Sequence, residues 1–481
     1  MSLKQQIFKG AFWTVVGQMG SMIVTLLTNI VLARLLTPYE FGQMGILMFF
    51  IVLANIFTES GFGGAIIRKK DVTKADYSTM FVFNLIASLS CYILLIAFSG
   101  IIARYYHDDS LKKLFVAIGI VLVINALTMT QNIKLVREMR FKNQSIILLF
   151  ANIFAATTSI IAAYYGLGIW ALVLFQVLTS AFNSVFLIIN GGFFFSLNFD
   201  RKIFKELYGF GVNTTTTSLI GTAFDNIYQV ILGRYFSLAQ VGFYFQAKKL
   251  QTVPFVILNA VVQGVAFSSL SKLQENKQEF IKAYNKLMLV FTILMGITTT
   301  FIYLYANSLI IILFGKKWIE SVFFMQLLSV ASFFYFQELI NNIIFKVFNQ
   351  TKKILYLEIV KKAVQVISII IGLIYMDIKV LLYGFVITSA ITYWINFYYS
   401  RSILGNEGMY EAYSILKVIG ISVVCVLACN CLAGIFKLNE LKLLYTVPLL
   451  MVLFVTLLKI FKVADVIEEL KGIRKLKQKE A

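Results

Sequence analysis

The chain has 481 residues, of which 59% are hydrophobic and only 14% are charged, and its mean hydropathy is +0.83. Soluble globular proteins carry about 25% charged residues, so this composition excludes a soluble protein and indicates a polytopic membrane protein. The net charge of +20 would favour nucleic-acid binding in a soluble chain. In a membrane protein the meaning of each basic residue depends on its place relative to the bilayer. We therefore expect no nucleic-acid partner.

Apolar runs bounded by charged or turn residues predict fourteen transmembrane helices, each close to the roughly 20 residues that span a bilayer. In chain order they cover residues 11–33, 43–66, 80–103, 114–132, 145–165, 168–190, 208–233, 243–268, 285–314, 319–345, 355–376, 380–400, 415–435 and 441–461. The segment before the first run is too short for a cleavable leader, so we expect that helix to be retained. The predicted fold class is an all-α polytopic membrane protein.

Basic residues are distributed unequally between the two sides that these helices define. An even number of spans places both termini on one side, and that side carries 29 of the 43 lysine and arginine residues, against 10 on the other. Because loops rich in Lys and Arg remain in the cytoplasm, we expect both termini to be cytoplasmic. Topology and attraction to anionic lipids then explain most of the net charge.

Residue types that bind metals are few and scattered. Cys91, Cys425, Cys429 and Cys431 lie inside apolar runs, and the single histidine, His107, lies in a loop between two of them. One histidine cannot form a zinc site alone, and the cysteines have the character of small packing residues. We expect no metal site and no resident cofactor.

A short motif recurs 200 residues apart. The sequence Leu-Ala-Arg-Leu-Leu-Thr-Pro-Tyr-Glu-Phe-Gly at 32–42 aligns with Leu-Gly-Arg-Tyr-Phe-Ser-Leu-Ala-Gln-Val-Gly at 232–242, so that Gly42 matches Gly242. In each copy an apolar helix ends in arginine, a short turn follows, and glycine opens the next helix.

Repeats of this kind are typical of transporters, whose substrate site lies between two lobes. The repeat predicts three parts: an N-terminal six-helix lobe over 1–200, a second six-helix lobe over 201–405, and two extra helices with a basic cytoplasmic tail over 406–481. We expect a central cavity between the lobes.

Polar residues form matching stripes on the helices that precede the two motifs. With a spacing of three or four residues, they share one face of each helix. They are Gln18, Ser21, Thr25 and Asn29 in the first copy and Thr214, Ser218, Thr222, Asp225 and Gln229 in the second. The stripes predict a shared polar cavity. An alternative is that small polar residues only allow close helix packing. That alternative accounts poorly for Asp225 in the second stripe, because a carboxylate inside a bilayer is costly unless it faces water or a partner.

Ionisable residues in or next to the predicted spans are the candidates for function. The cations expected to bind the substrate are Arg34, Arg234, Lys248, Lys249, Lys361 and Lys362, and the carboxylates expected to bind a coupling ion, H⁺ or Na⁺, or to form salt bridges between the lobes are Glu59, Asp225 and Glu338. A cationic set suits a diphosphate, which needs Arg or Lys partners in a low-dielectric cavity. Simpler interpretations stay open: Glu358 and Lys362 have the spacing of an i, i+4 pair, and the pair at 248–249 can snorkel to the interface.

Enzyme motifs are missing from the sequence. It contains neither the nucleotide-binding pattern Gly-x-x-x-x-Gly-Lys-Ser/Thr nor the nucleophile pattern Gly-x-Ser-x-Gly. The predicted loops, of about 20 residues or fewer, are too short to form a catalytic domain. We therefore expect that the protein is not an enzyme.

Five segments together resemble one transporter family. They are the motif at 32–42; Glu-Ser-Gly-Phe-Gly-Gly-Ala-Ile-Ile-Arg-Lys-Lys-Asp at 59–71; Arg-Glu-Met-Arg-Phe-Lys at 137–142; Gly-Leu-Gly-Ile-Trp-Ala-Leu-Val at 166–173; and the stretch at 225–254 that includes the second copy of the repeat. Their order is similar to that in the Wzx-type oligosaccharide flippases of the multidrug/oligosaccharidyl-lipid/polysaccharide exporter superfamily, in particular the subgroup exemplified by colanic-acid export. One departure is Ser268, where such proteins often carry a proline.

The resemblance implies a protein of the bacterial inner membrane that moves an undecaprenyl-diphosphate-linked oligosaccharide from the cytoplasmic to the outer leaflet by alternating access. It would serve the assembly of O-antigen, capsule or exopolysaccharide, with the polysaccharide polymerase and chain-length machinery as partners. A cation-coupled multidrug exporter is the alternative within the superfamily, although the surplus of basic residues in the spans argues against cationic drugs. A membrane polysaccharide polymerase or ligase and a non-transporting scaffold are further alternatives.

Overall fold

The computed structural model describes residues 3–59, 61–191, 197–405, 409–436, 445–461 and 463. Over these residues the chain is helical, and no described residue belongs to a β-strand. The α-helices are α1 (Leu3–Leu35), α2 (Pro38–Glu59), α3 (Phe62–Arg68), α4 (Lys74–Tyr105), α5 (Ser110–Arg137), α6 (Phe141–Tyr164), α7 (Ile169–Gly191), α8 (Arg201–Tyr235), α9 (Leu238–Val261), α10 (Phe267–Ser271), α11 (Lys277–Leu313), α12 (Ser321–Val347), α13 (Thr351–Ile374), α14 (Ile378–Leu404), α15 (Met409–Ile435) and α16 (Val447–Ile460).

Helix packing divides the chain into two compact units, a first unit over Met1–Phe245 and a second unit over Gln246–Ala481. In the first unit α4 packs on α5, α6 packs on α1 and α7, and α2 packs on α8. In the second unit α12 packs on α11 and α14, α13 on α14, and α15 on α11 and α16. The lobe boundaries inferred from the repeat, at residues 200 and 405, stay a prediction, because they refer to internal symmetry whereas the units follow from packing.

Eleven helical segments in the described ranges are long and apolar enough to cross a membrane. Outside this set, α16 is short, with 14 residues, while α8 and α13 contain the polar and charged residues singled out above. The all-α membrane fold is therefore confirmed. The fourteen predicted spans are compatible with these helices, since each coincides with one helix or with a helix and its short continuation.

The helical run that begins with α9 is irregular near its end. Pro254 lies inside α9, and the backbone forms a π-helical turn, Val262–Ala266, before α10. Proline removes a backbone donor, and a π turn inserts an extra residue, so both disturb a regular helix. Ser268 lies after this turn and donates its hydroxyl hydrogen to the carbonyl oxygen of Gly264, with 2.7 Å between the oxygens. The irregularity is thus present without a proline at this position.

Charged side chains fasten the short helix α3 to its neighbours. The Lys69 amine, just after α3, lies 2.8 Å from a carboxylate oxygen of Asp76 on α4 and 2.9 Å from one of Glu206 on α8. These hydrogen bonds raise the pKa of the Lys69 amine. Arg137, at the end of α5, donates to the carbonyl oxygen of Ile66 at 2.9 Å. Several basic residues of these loops therefore have structural contacts within the first unit.

Candidate functional site

The two copies of the repeated motif contact each other within the first unit. A Cβ atom on Gly42 would overlap the carbonyl oxygen of Leu238, and a Cβ atom on Gly242 would overlap the carbonyl oxygen of Pro38. Because Pro38 and Leu238 are themselves 200 residues apart, the contact is reciprocal: each glycine packs against the first turn of the other copy's helix. Any side chain at either position would separate α2 from α9.

The polar stripes on α1 and α8 run from an exposed end to a buried end in both copies. Equivalent or neighbouring members of the stripes have similar exposure: Gln18 and Ser218 are exposed, Thr25 and Thr222 are half-buried, and Asn29 and Gln229 are buried. The Gln229 amide donates to the carbonyl oxygen of Gly45 at 3.1 Å and so links α8 to α2. Gln229 therefore takes part in helix packing, and the cavity role of both stripes stays a prediction.

Arg234 is held by the turn between α4 and α5. One guanidinium nitrogen donates to the carbonyl oxygen of Tyr105 at 2.7 Å and lies 2.8 Å from Nε2 of His107, and the guanidinium carbon lies 4.6 Å from the centre of the Tyr105 ring. His107 has a φ of 56°, in the left-handed region. Arg34, the equivalent residue in the first copy, is exposed at the end of α1. The structure thus gives Arg234 a contact within the first unit, and substrate binding by either arginine stays a prediction.

Asp108 is a buried carboxylate that sequence patterns did not single out. One of its oxygens accepts hydrogen bonds from Tyr39 at 2.9 Å and from Gln43 at 2.6 Å, and the other accepts from the backbone and hydroxyl of Ser110 at 3.0 and 2.6 Å. Burial alone would raise the pKa of the Asp108 carboxyl, but the hydrogen bonds from Ser110, Gln43 and Tyr39 hold that pKa below its ordinary value. The signal in the sequence is the Asp-x-Ser spacing ahead of a helix, which is typical of a capped turn.

Lys361 forms two ion pairs inside the second unit. Its amine contacts a carboxylate oxygen of Glu338 on α12 and, at 2.7 Å, one of Glu358 on its own helix. The side chains of Lys361 and Glu338 are 9% and 4% exposed, whereas that of Glu358 is 42% exposed. Lys361 and Glu338, two of the predicted site residues, are therefore brought together. Glu358 pairs with Lys361 at i, i+3, whereas the sequence spacing indicated Lys362.

The remaining charged candidates lie on four helices. Lys248 and Lys249 are half-buried on α9, and Lys362 is half-buried on α13. Glu59, the last residue of α2, and Asp225 on α8 are exposed. In the part of the chain that the structure describes, no group of three or more histidine, cysteine or carboxylate side chains is placed to hold a metal ion. Roles in substrate or ion binding stay predictions for these five residues.

Each unit contains a cavity of different chemistry. A cavity of ≈ 380 Å³ in the first unit lies among α2, α3, α4 and α8, and its lining combines aromatic rings with hydroxyl groups, including Phe57, Phe83, Ser90, Tyr208 and Thr216. A cavity of ≈ 360 Å³ in the second unit lies among α11, α12 and α15, and its lining is largely apolar, including Phe333, Val426 and Leu427. Pockets that mix apolar walls with a few polar groups are the usual form of small-molecule sites. The second cavity also carries hydroxyl groups, on Thr299, Tyr303 and Ser422, so both cavities meet that description.

Comparison with known proteins gives matches in both sequence and fold. A family described as "Polysaccharide biosynthesis protein" matches residues 31–323. The chain is 26% identical over 337 residues to the teichuronic acid biosynthesis protein TuaB of Bacillus subtilis, and the match covers 69% of each chain. It is 21% identical over 311 residues to the succinoglycan biosynthesis transport protein ExoT of Rhizobium meliloti, which covers 64% of this chain and 62% of the other.

Among solved structures, the fold is similar to that of the lipid II flippase MurJ in an inward closed conformation. The TM-score is 0.71 at 14% sequence identity, and the match covers 93% of this chain and 98% of that one. At this identity the similarity concerns the fold alone. It extends beyond the sequence match with the family into the C-terminal helices.

Proposed function

Because the chain belongs to the polysaccharide biosynthesis protein family, we propose that it moves a lipid-linked oligosaccharide across a membrane for the synthesis of a surface polysaccharide. The observation that carries this proposal is the family match over residues 31–323 of a multi-pass helical chain. A relative named as a succinoglycan biosynthesis transport protein and a fold similar to that of a lipid II flippase support transport as the activity. The protein would act as a carrier and not as an enzyme.

The distribution of basic residues supports an orientation for the protein in its membrane. The side that carries 29 of the 43 basic residues would face the cytoplasm, with both termini, in the bacterial inner membrane. The substrate would then enter from the cytoplasmic leaflet and leave from the outer one by alternating access. There a polysaccharide polymerase and its chain-length machinery would take it up.

The lipid carrier is proposed to be undecaprenyl diphosphate, whose charge would meet lysine and arginine side chains. Lys361 is already bonded to two carboxylates, which balance its charge, so a diphosphate would gain its full attraction by displacing one of them. Glu358 is the carboxylate that would leave, because its side chain is 42% exposed whereas that of Glu338 is 4% exposed. Glu338 would then keep the Lys361 amine in place.

The proposal is tested with purified protein in lipid vesicles that contain a fluorescent undecaprenyl-diphosphate oligosaccharide in one leaflet. A membrane-impermeant quencher reports how much of the lipid has moved to the other leaflet. We expect faster exchange than in protein-free vesicles, and exchange close to the protein-free rate with Lys361→Met. The matched control Lys352→Met removes an exposed lysine close to it in the chain and is expected to behave as the wild type.

Exchange at the protein-free rate with folded wild-type protein would contradict the proposed function. Equal exchange by the wild type and Lys361→Met would instead contradict the assignment of Lys361. The multidrug alternative predicts that expression raises resistance to cationic drugs in an efflux-deficient strain, without movement of the lipid-linked sugar.

A further inference from the structure

Glu411 is a fully buried carboxylate in the second unit, apart from the ion pairs of Lys361. Its side chain lies in the first turn of α15 and the residue is 1% exposed. The apolar pattern predicts a helix that begins only at 415, which leaves Glu411 outside it. In the structure α15 begins at Met409 and carries Glu411 among α11, α12 and α14.

Three side chains from three helices surround the Glu411 carboxylate. Its Oε1 accepts hydrogen bonds from the Asn341 amide on α12 and from the Tyr393 hydroxyl on α14, both at 2.8 Å. Its Oε2 lies 2.9 Å from the Tyr284 hydroxyl of α11. Tyr284, Asn341 and Tyr393 are all 0% exposed. The network is therefore isolated from solvent in the described part of the chain.

The number of hydrogen bonds that this network can form depends on whether Glu411 is ionised or protonated. The Tyr284 hydroxyl oxygen lies 2.9 Å from Glu411 Oε2 and also 2.7 Å from Oδ1 of Asn341, yet a tyrosine hydroxyl has a single hydrogen to donate. If Glu411 is ionised, donation to Glu411 leaves the Asn341 oxygen without this bond. If Glu411 is protonated, its own hydrogen bonds to Tyr284, and Tyr284 donates to Asn341. The protonated form thus satisfies both contacts at once.

The surrounding charges leave both states accessible. The titratable groups that face Glu411 are Tyr284 from α11 and Tyr393 from α14. Asn341 on α12 is neutral, and Glu338, one turn earlier on that helix, is paired with Lys361. No ion pair with Glu411 is formed by the described basic residues that lie close to these contacts in sequence or on α16. These residues are Lys282, Lys286, Lys346, Arg401, Lys417 and Lys459. Burial without a cation favours the neutral form, whereas the amino end of α15 favours the anion.

We propose that Glu411 is a proton-binding site that switches the hydrogen bonds among α11, α12, α14 and α15. Uptake of a proton moves the Tyr284 hydrogen from Glu411 to Asn341, so the link between α11 and α12 strengthens while that between α11 and α15 reverses its direction. No atom other than the added proton enters or leaves. The site would give a transport cycle a proton-sensitive contact between α15 and the rest of the second unit.

Infrared difference spectroscopy on the purified wild-type protein tests this site, because a protonated carboxyl has a carbonyl band that an ionised one lacks. Between mildly alkaline and mildly acidic pH we expect one buried carboxyl band to appear, and we expect Glu411→Gln to abolish it. The matched control Glu275→Gln, which removes an exposed carboxylate, is expected to keep the band. The measurement requires no transported substrate, so its outcome is independent of the vesicle assay above.

A second variant keeps the test informative even if Glu411→Gln does not fold. Tyr393→Phe leaves the carboxyl in place but removes one donor to it, and hydrogen bonds to an ionised acceptor are stronger than those to a neutral one. The anion therefore loses more than the acid, and the midpoint of the band should move to higher pH by about one pH unit. A wild-type protein with no pH-dependent buried carboxyl band, a band retained in Glu411→Gln, or an unchanged midpoint in Tyr393→Phe would each overturn the proposal.

Discussion

The charged contacts of Lys69 and Arg234 in the first unit differ from those of Lys361 and Glu411 in the second. In the first unit, Lys69 after α3 and Arg234 at the end of α8 make their contacts at helix ends. In the second unit, Lys361 and Glu338 pair near the middle of long helices, and Glu411 is enclosed by side chains from three others. Helix ends can reach the hydrated membrane surface, whereas the middle of a membrane helix does not, and Glu411 is kept from water by the side chains around it.

This difference means that the same type of substitution should have unequal effects in the two units. A charge at a helix end regains water when its partner is removed, so such contacts contribute little on their own. A buried charge that loses its partner has no such replacement. The variants below test that contrast, beginning with the largest expected effect.

Lys361→Met should lower the free energy of unfolding by about 3–5 kcal/mol, because it leaves the buried Glu338 carboxylate without its cation. Denaturant unfolding in detergent, followed by tryptophan fluorescence, measures the change. Lys352→Met changes an exposed residue earlier on the same helix, and its free energy of unfolding should stay within about 0.5 kcal/mol of the wild-type value.

A double variant separates the loss of the ion pair from a general packing defect. When Glu338→Gln is added to Lys361→Met, the unpaired charge is gone, and part of the stability should return. Equal instability of the single and double variants would show that the second unit does not depend on this charge balance.

Gly42→Ala and Gly242→Ala should each lower the free energy of unfolding by about 2–3 kcal/mol, as an overpacked contact does. The effect arises in the first unit from shape alone, since the added Cβ meets a backbone carbonyl in both cases. Gly100→Ala is the control, because a Cβ there meets nothing within 4 Å and a helix interior prefers alanine by about 0.5–1 kcal/mol. If the double variant loses about as much free energy of unfolding as either single variant, the two glycines act as one contact.

Asp108→Asn should have the smallest effect of the three, about 1–2 kcal/mol, because the amide still accepts some of the hydrogen bonds. The pKa of Asp108 is lower in the folded protein than its ordinary value. Its stabilising contribution is therefore complete above about pH 4 and is lost as the pH falls through the lower folded value. Unfolding measured over an acidic pH series should show this loss in the wild type and not in Asp108→Asn. Asp109→Asn, an exposed neighbour, should keep the wild-type profile.

Much of the helical fold could be predicted from the sequence, because apolar runs mark the part of each helix that lies in the hydrocarbon. The predicted helix ends are less accurate for the same reason. A helix continues into the interface, where charged residues are tolerated: α11 begins at Lys277, not at 285, and α4 begins at Lys74, not at 80. Glu411 is missed by this route, since the charged start of α15 lies outside the predicted helix.

The candidate site was predictable where a charge inside a span implied a partner, and less so where the partner depended on helix packing. Lys361 and Glu338 were both singled out as ionisable residues within spans, but their pairing requires the contact of α12 with α13. Two of the hydrogen bonds that Asp108 accepts come from Tyr39 and Gln43 on α2, more than 60 residues away. No local pattern specifies which two helices will pack together.

The reciprocal contact of Gly42 and Gly242 also limits how far the two halves of the chain can diverge. Other equivalent positions of the two copies carry different residues, as Thr25 and Asp225 do. Each glycine packs against the first turn of the other copy's helix, so a side chain gained in one copy meets the backbone of the other. The two glycines therefore answer to one packing requirement, that no side chain separates α2 from α9, and this requirement applies to both copies of the motif.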